Sequence, residues 1–173
     1  MKTILPLTIA FFLLILTAGT AIAQKPVRPD SSLVAFFLGE WKGDGAFANG
    51  RKISATVGFR LTLDSVWLVN EHRDVPPNDY KATDFWGVDP ATGQFVGYTF
   101  DNFNGHREWT STGWSGGRIV LSGSSHTKSY GTYFERFIYE RLDANQFRMT
   151  YENGRDSVTY HMGDTLRFVR IGR

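Results

Sequence analysis

Three observations predict an all-β chain folded as a single antiparallel meander β-barrel of about eight to ten strands, led by one short helix. Residues 51–63 alternate apolar and polar side chains almost without a break, the period of a strand with one buried face. From residue 39 onward, apolar runs of strand length follow one another across short turns rich in Gly, Asp, Asn and Pro. No helix of ordinary length interrupts them, so each strand is one hairpin from the next. A meander that long closes on itself, because open sheet edges invite pairing with other chains.

Residues 1–23 read as a signal peptide and not as part of the fold. Lys2 supplies a basic start, residues 7–16 an apolar stretch, and Ala21-Ile22-Ala23 a small-residue cleavage site before Gln24. The apolar stretch is too short for a good transmembrane span. Neither Ala23 nor Gln24 is a Cys, so nothing marks lipid attachment. Cleavage leaves about 150 residues, enough for one domain with a real core. Of the 19 Lys and Arg only Lys2 is lost, leaving 18 basic against 17 acidic residues. With no block of like charge, neither nucleic acid nor an anionic membrane surface is an expected partner. An exported chain with no Cys fits the bacterial envelope, periplasmic or secreted.

Residues 24–30 contain Pro26 and Pro29 and read as a flexible lead-in. The barrel domain then spans 31–173. Asp30 or Ser31 caps a short helix over 32–38, with Leu33, Phe36 and Phe37 on one face and Gly39 ending it. On the strand at 51–63, Ile53, Ala55, Val57, Phe59, Leu61 and Leu63 share the apolar face. Asp64-Ser65 turns the chain into a strand at 66–73, and 75–79, with Pro76-Pro77, is a loop. Strands at 82–88 and 94–100 flank the turn Asp89-Pro90-Ala91-Thr92-Gly93. Strands at 107–113 and 118–122 pair across Ser115-Gly116-Gly117, and those at 132–142 and 146–152 across Asp143-Ala144-Asn145. Two final strands, 157–161 and 165–171, are separated by Gly163-Asp164.

The opening Leu38-Gly39-Glu40-Trp41-Lys42-Gly43-Asp44-Gly45 resembles that of lipocalin-like calycin barrels, in which a Gly-x-Trp plugs one end. It is especially similar to an uncharacterised bacterial family of lipocalin-like domains. The hairpin Trp86-Gly87-Val88-Asp89-Pro90-Ala91-Thr92-Gly93 and a strand end at Leu121-Ser122-Gly123 extend the likeness over most of the mature chain. The resemblance implies a structural role for Gly39 and Trp41. It also implies a basic residue on the last strand packed across Trp41; Arg170 and Arg167 are the candidates, and Arg170 is favoured. The nitrobindins open similarly and hold haem through a His near the C-terminus, which here points to His161. That His lies before Gly163-Asp164, and the rest of the nitrobindin pattern is missing.

Aromatic residues make up 15% of the chain, with five Trp, seven Tyr and fourteen Phe. Most are ordinary strand and core residues. A buried indole N–H needs a partner, however, so Trp67, Trp86, Trp109 and Trp114 exceed what a core requires and are candidates to line a cavity. On the aromatic strand at 132–142, Tyr133 joins them. Arg136 there shares a face with Phe134 and Ile138, as a rim residue or as an anchor for a ligand's anionic end. The expected ligand set is therefore Trp67, Trp86, Trp109, Tyr133 and Arg136.

His72 and His106 lie at strand ends beside Glu71 and Glu108. Alternation puts His72 and Glu71 on opposite faces, so a histidine–carboxylate pair would have to form across strands, and an interior free of histidine is expected. Four scattered His, with no H-x-H, no H-E-x-x-H and no Cys, make no metal site. No nucleophile elbow, P-loop or dinucleotide fingerprint is present. The expectation is an exported barrel that binds a small, largely apolar molecule, with no catalytic residue and no cofactor. The alternative is an enzyme, either a haem-binding isomerase or one built on a His–carboxylate pair.

Overall fold

The computed structural model describes residues 26–172 except 129–130, so the expected signal peptide lies outside the described residues. One helix, α1 (Ser31–Phe37), precedes ten strands: β1 (Gly39–Phe47), β2 (Lys52–Thr62), β3 (Trp67–Asp74), β4 (Lys81–Val88), β5 (Phe95–Asp101), β6 (His106–Ser111), β7 (Arg118–Thr127), β8 (Gly131–Asp143), β9 (Gln146–Gly154) and β10 (His161–Gly172). Each strand pairs antiparallel with the next, and β1 pairs with β10 to close the barrel. This is the all-β meander barrel with a leading helix that the hairpin pattern predicts.

The Asp30 side chain accepts hydrogen bonds from the Ser32 and Leu33 N–H groups at 2.8 and 3.1 Å, which caps the first turn of α1. The lead-in is tied to the barrel over its described part. Pro29 is buried, and Arg28 donates to the Asp64 carbonyl at 3.2 Å. Helix α1 inserts Leu33, Phe36 and Phe37 into one end of the barrel. There the Phe37 ring lies 4.8 Å from Phe59, 5.3 Å from Phe147 and 5.5 Å from Trp86, centroid to centroid. The contacts with Phe147 and Trp86 are edge-on, at 72° and 86°, and add to what burial alone contributes.

Trp41 is fully buried beside α1. Its indole N–H donates to the Phe37 carbonyl at 2.7 Å, and the Arg170 guanidinium lies 3.9 Å from the ring. The same guanidinium donates to the Leu38 and Phe36 carbonyls, each at 2.5 Å. A helix leaves its last carbonyls without partners, and Arg170 satisfies two of them while stacking on Trp41. The glycines of the opening motif serve this seam. A Cβ at Gly43 would sit 2.6 Å from the Phe168 ring, and one at Gly45 only 1.8 Å from the Thr165 carbonyl oxygen. Only Gly lets β1 approach β10 that closely.

Two strand expectations are corrected. Residues 157–161 do not form a separate strand. The Asp156 carboxylate accepts from the Val158 and Thr159 N–H groups at 2.9 and 2.5 Å, a local turn that competes with ladder pairing. β10 instead starts at His161 and runs through Gly163-Asp164, with a register shift between Met162 and Asp164. Leu121-Ser122-Gly123 is not a strand end, because β7 continues to Thr127 and pairs with β8 from Gly131 onward. Between β6 and β7 the registered pairing is reduced to Thr110 and Ser122.

Trp41→Ala is expected to lower stability by about 3–5 kcal/mol, the usual cost of truncating a large buried aromatic. Arg170→Ala is expected to be destabilising and coupled to it. In urea denaturation the double variant should lose less than the sum of the singles. Additive losses would show that the guanidinium–indole contact contributes nothing.

Candidate functional site

Away from α1, the barrel interior changes character. Inward positions on β3, β4 and β5 run from apolar at the helix end to polar at the other: Leu68 to Asn70, His72 and Asp74; Trp86 to Asp84; Phe95 to Thr99. The polar members, Asn70, His72, Asp74, Asp84 and Thr99, surround a cavity of about 280 Å³, also lined by Phe47, Ile53, Tyr80, Ala82, Arg107, Phe137, Tyr139, Met149, Tyr151, Asp164 and Leu166. This volume is close to the lower end of small-molecule sites.

Two acidic side chains in the wall have raised pKa values. Asp84 is held up to about 6, chiefly by burial, against hydrogen bonding from Thr99 and the charges of His72 and Arg107. The Thr99 hydroxyl donates to Asp84 and itself accepts the Trp109 indole N–H at 2.7 Å. Trp109 therefore holds the threonine that holds the carboxyl. Asp164 is also held up to about 6, again chiefly by burial. Its Oδ1 has no partner among the described residues, nor has Asn70 Oδ1, although Asn70 is only 2% exposed. Buried acceptors are almost always paired, so these two are exceptions that face one cavity.

His72 Nε2 lies 2.8 Å from Asp74 Oδ1. The two residues are two apart on β3 and so share a face. An interior free of histidine is thus corrected. The adjacent acid, Glu71, does point outward, where it pairs with Arg60 at 2.9 Å; the acid that matters is one residue further on. Arg107, from β6, pairs with Asp101 at 3.1 Å and with Glu135 at 3.5 Å, and donates to the Tyr80 hydroxyl at 3.3 Å. Glu135 is 1% exposed and also accepts from Ser125 and from the Tyr151 hydroxyl. Burial lifts the Tyr80 phenol to about 12 and Tyr151 well above its ordinary value, so both remain neutral hydroxyls.

The expected ligand residues are scattered. Trp67 is on the outer face of β3, with its ring over Gly87 and beside the half-exposed Tyr98. Trp86 is inward and buried, but belongs to the packed half against Phe37 and Tyr139. Trp109 is inward and meets the cavity wall from behind, bonding Thr99 and packing its ring 5.3 Å from that of Phe137. Tyr133 borders an outer groove beside β6 and β7. Arg136 is on the outer face of β8, paired with Glu152 and with its guanidinium 4.1 Å from the Tyr160 ring. The aromatic face of β8 that turns inward carries Glu135, Phe137 and Tyr139, one residue out of step with Arg136. Trp114 packs against Phe36 and Phe37.

His161, the residue expected for haem, is exposed and borders a separate groove with Tyr133 and Tyr151 rather than the cavity wall. Among the described residues, no group of three His, Cys, Asp or Glu is placed to hold a metal ion. No protein-family model matches the chain, and no curated protein matches it in sequence.

Asp84 and Asp164 bind protons more tightly in the folded chain than their ordinary value of 3.8 implies. The stability each confers is full below about pH 4 and is lost as pH rises through about 6, by roughly 3 kcal/mol per group at most. Asp84→Asn and Asp164→Asn should therefore gain stability relative to the parent between about pH 4 and pH 7. Urea midpoints at both ends of that range test this, and a pH-independent difference would contradict it.

Proposed function

We propose that this barrel binds a small molecule with an apolar body and a hydrogen-bond-donating end, inside the cavity between Asp84 and Asp164. The observation that carries this reading is a space of about 280 Å³ left open beside two buried acceptors that lack donors. Protein interiors are otherwise close-packed and satisfied. The apolar part of the wall, with Phe137, Met149 and Leu166, suits a ligand body; Asn70 and Asp164 suit its polar end. An anionic end at Arg136 is not part of this reading, because Arg136 is outside and already paired. The leader-like residues 1–23 support export, and with it a periplasmic or extracellular role.

Native mass spectrometry of the purified protein, with quenching of tryptophan emission by a panel of small amphiphiles, tests the reading. Trp109 is coupled through Thr99 to the cavity wall and should report occupancy. Ala82→Phe, which fills the cavity from β4, is expected to abolish quenching. No co-purified molecule and no quenching at micromolar concentration would sink the proposal.

A second reading rests on the His72–Asp74 pair. A histidine oriented by a carboxylate inside a cavity is equipped for general acid–base catalysis. On this reading the protein moves a proton on a carbon acid, such as the carbon beside a small ketone's carbonyl. Deuterium incorporation into a ketone panel, followed by proton NMR, should exceed the buffer rate and be lost in His72→Gln while thermal stability is retained. Incorporation equal in both proteins would remove it.

A further inference from the structure

The charges around the cavity do not balance, and the imbalance identifies the ligand's polar end. β3 contributes His72 and Asp74, already bonded to each other. β4 contributes Asp84, and β10 contributes Asp164. The remaining cation of the wall is Arg107 from β6, and it is shared by Asp101 and Glu135. The other titratable groups facing the space are the neutral phenols of Tyr80, Tyr139 and Tyr151. Among the described residues, Asp84 and Asp164 thus have no cation bonded to them; His72 and Arg107 act on Asp84, and His72 on Asp164, while paired elsewhere. Uncompensated buried carboxylates are costly.

We propose that the molecule bound in this cavity is an organic ammonium, a small amine whose cationic nitrogen sits among Asp84, Asp164 and the Asn70 amide oxygen. This rests on the cavity-binding reading above and narrows it to one ligand class. An ammonium brings up to three N–H donors, and the wall has two orphaned acceptors, Asn70 Oδ1 and Asp164 Oδ1. Tyr80, Phe137, Tyr139 and Tyr151 supply rings on which a cation and its apolar body can rest. A carboxylate ligand would meet like charge. A neutral alcohol would satisfy the acceptors but leave the charge uncompensated. An inorganic cation lacks its ligand set, since no three His, Cys, Asp or Glu among the described residues are placed for one.

The proposal implies a pH dependence of defined sign. A simple alkylamine stays protonated throughout the acidic and neutral range. Asp84 and Asp164 take up protons near pH 6. Amine binding should therefore be tight at about pH 7.5 and should weaken by about tenfold or more at about pH 5, as the carboxylates become neutral. Binding of a matched alcohol should change little.

Isothermal titration calorimetry with phenethylamine, 2-phenylethanol and 3-phenylpropionate tests this on the purified protein. The amine should bind at least about tenfold more tightly than the alcohol, equivalent to about 1.4 kcal/mol, and the acid should give no signal. Asp164→Asn and Asp84→Asn should each lose that preference while still binding the alcohol, which shows that their cavities are intact. The outward-facing Lys42→Ala should behave like the parent. Equal or tighter binding of the alcohol or acid would overturn the amine assignment, as would an amine affinity unchanged at about pH 5. If none of the three binds but native mass spectrometry finds another molecule in the barrel, the amine assignment fails and the cavity-binding reading stands. If none binds and nothing co-purifies, both fail.

Discussion

The contact of Arg170 with Trp41 and with the Phe36 and Leu38 carbonyls is the constraint on which the rest of the structure depends. It joins the last strand to the first, and both to the end of α1. Without it, the helix end would leave carbonyls unsatisfied above the apolar core. With it, one end of the barrel is sealed by Phe36, Phe37 and Trp41 in close aromatic contact. That seal lets the opposite half depart from core chemistry. A closed barrel of this size can place polar groups inside one half when the other carries the apolar packing.

The polar half is organised by intermediaries. Asp84 is held by Thr99, and Thr99 by Trp109. Arg107 is held between Asp101 and Glu135, and Asp101 by the N–H groups of Phe103 and Gly105 at 2.9 and 2.8 Å. Glu135 is fixed by Ser125 and Tyr151. A polar network inside a low-dielectric space is stabilising only when its members are satisfied. Here the Arg107 cluster meets that condition, while Asn70 and Asp164 do not. Of the three buried side-chain atoms without a partner among the described residues, those of Asn70 and Asp164 face one cavity, and the third, Trp86 Nε1, lies in the packed half.

The fold was legible in the sequence because alternation and turn chemistry act locally. Ile53 through Leu61 alternate as one face of β2, and each hairpin carries its own Gly, Pro or Asp. β10 was less legible, since Gly163-Asp164 has the composition of a turn but forms an irregularity within a strand. The cavity was largely missed for a related reason. The test that singled out Arg136, a charge on an apolar face, applies equally to Asp84 between Ala82 and Trp86, and to Asn70 beside Leu68. His72 was weighed against its chain neighbour Glu71, whereas a strand brings together residues two apart, so Asp74 was the acid to consider. The pairing of Arg107 with Glu135 joins β6 to β8, and no local pattern announces contacts of that kind.

The seal between the first and last strands also sets the order of events when the chain folds. Arg170 and Leu38, which it bonds, are 132 residues apart, so closing that contact costs more chain entropy than any hairpin. Hairpins from β2 to β9 need only their neighbours, but β1 has no second partner until β10 exists. A growing chain therefore cannot complete its barrel before β10 has been made. A barrel built this way stays open, and unable to enclose anything, until β10 arrives.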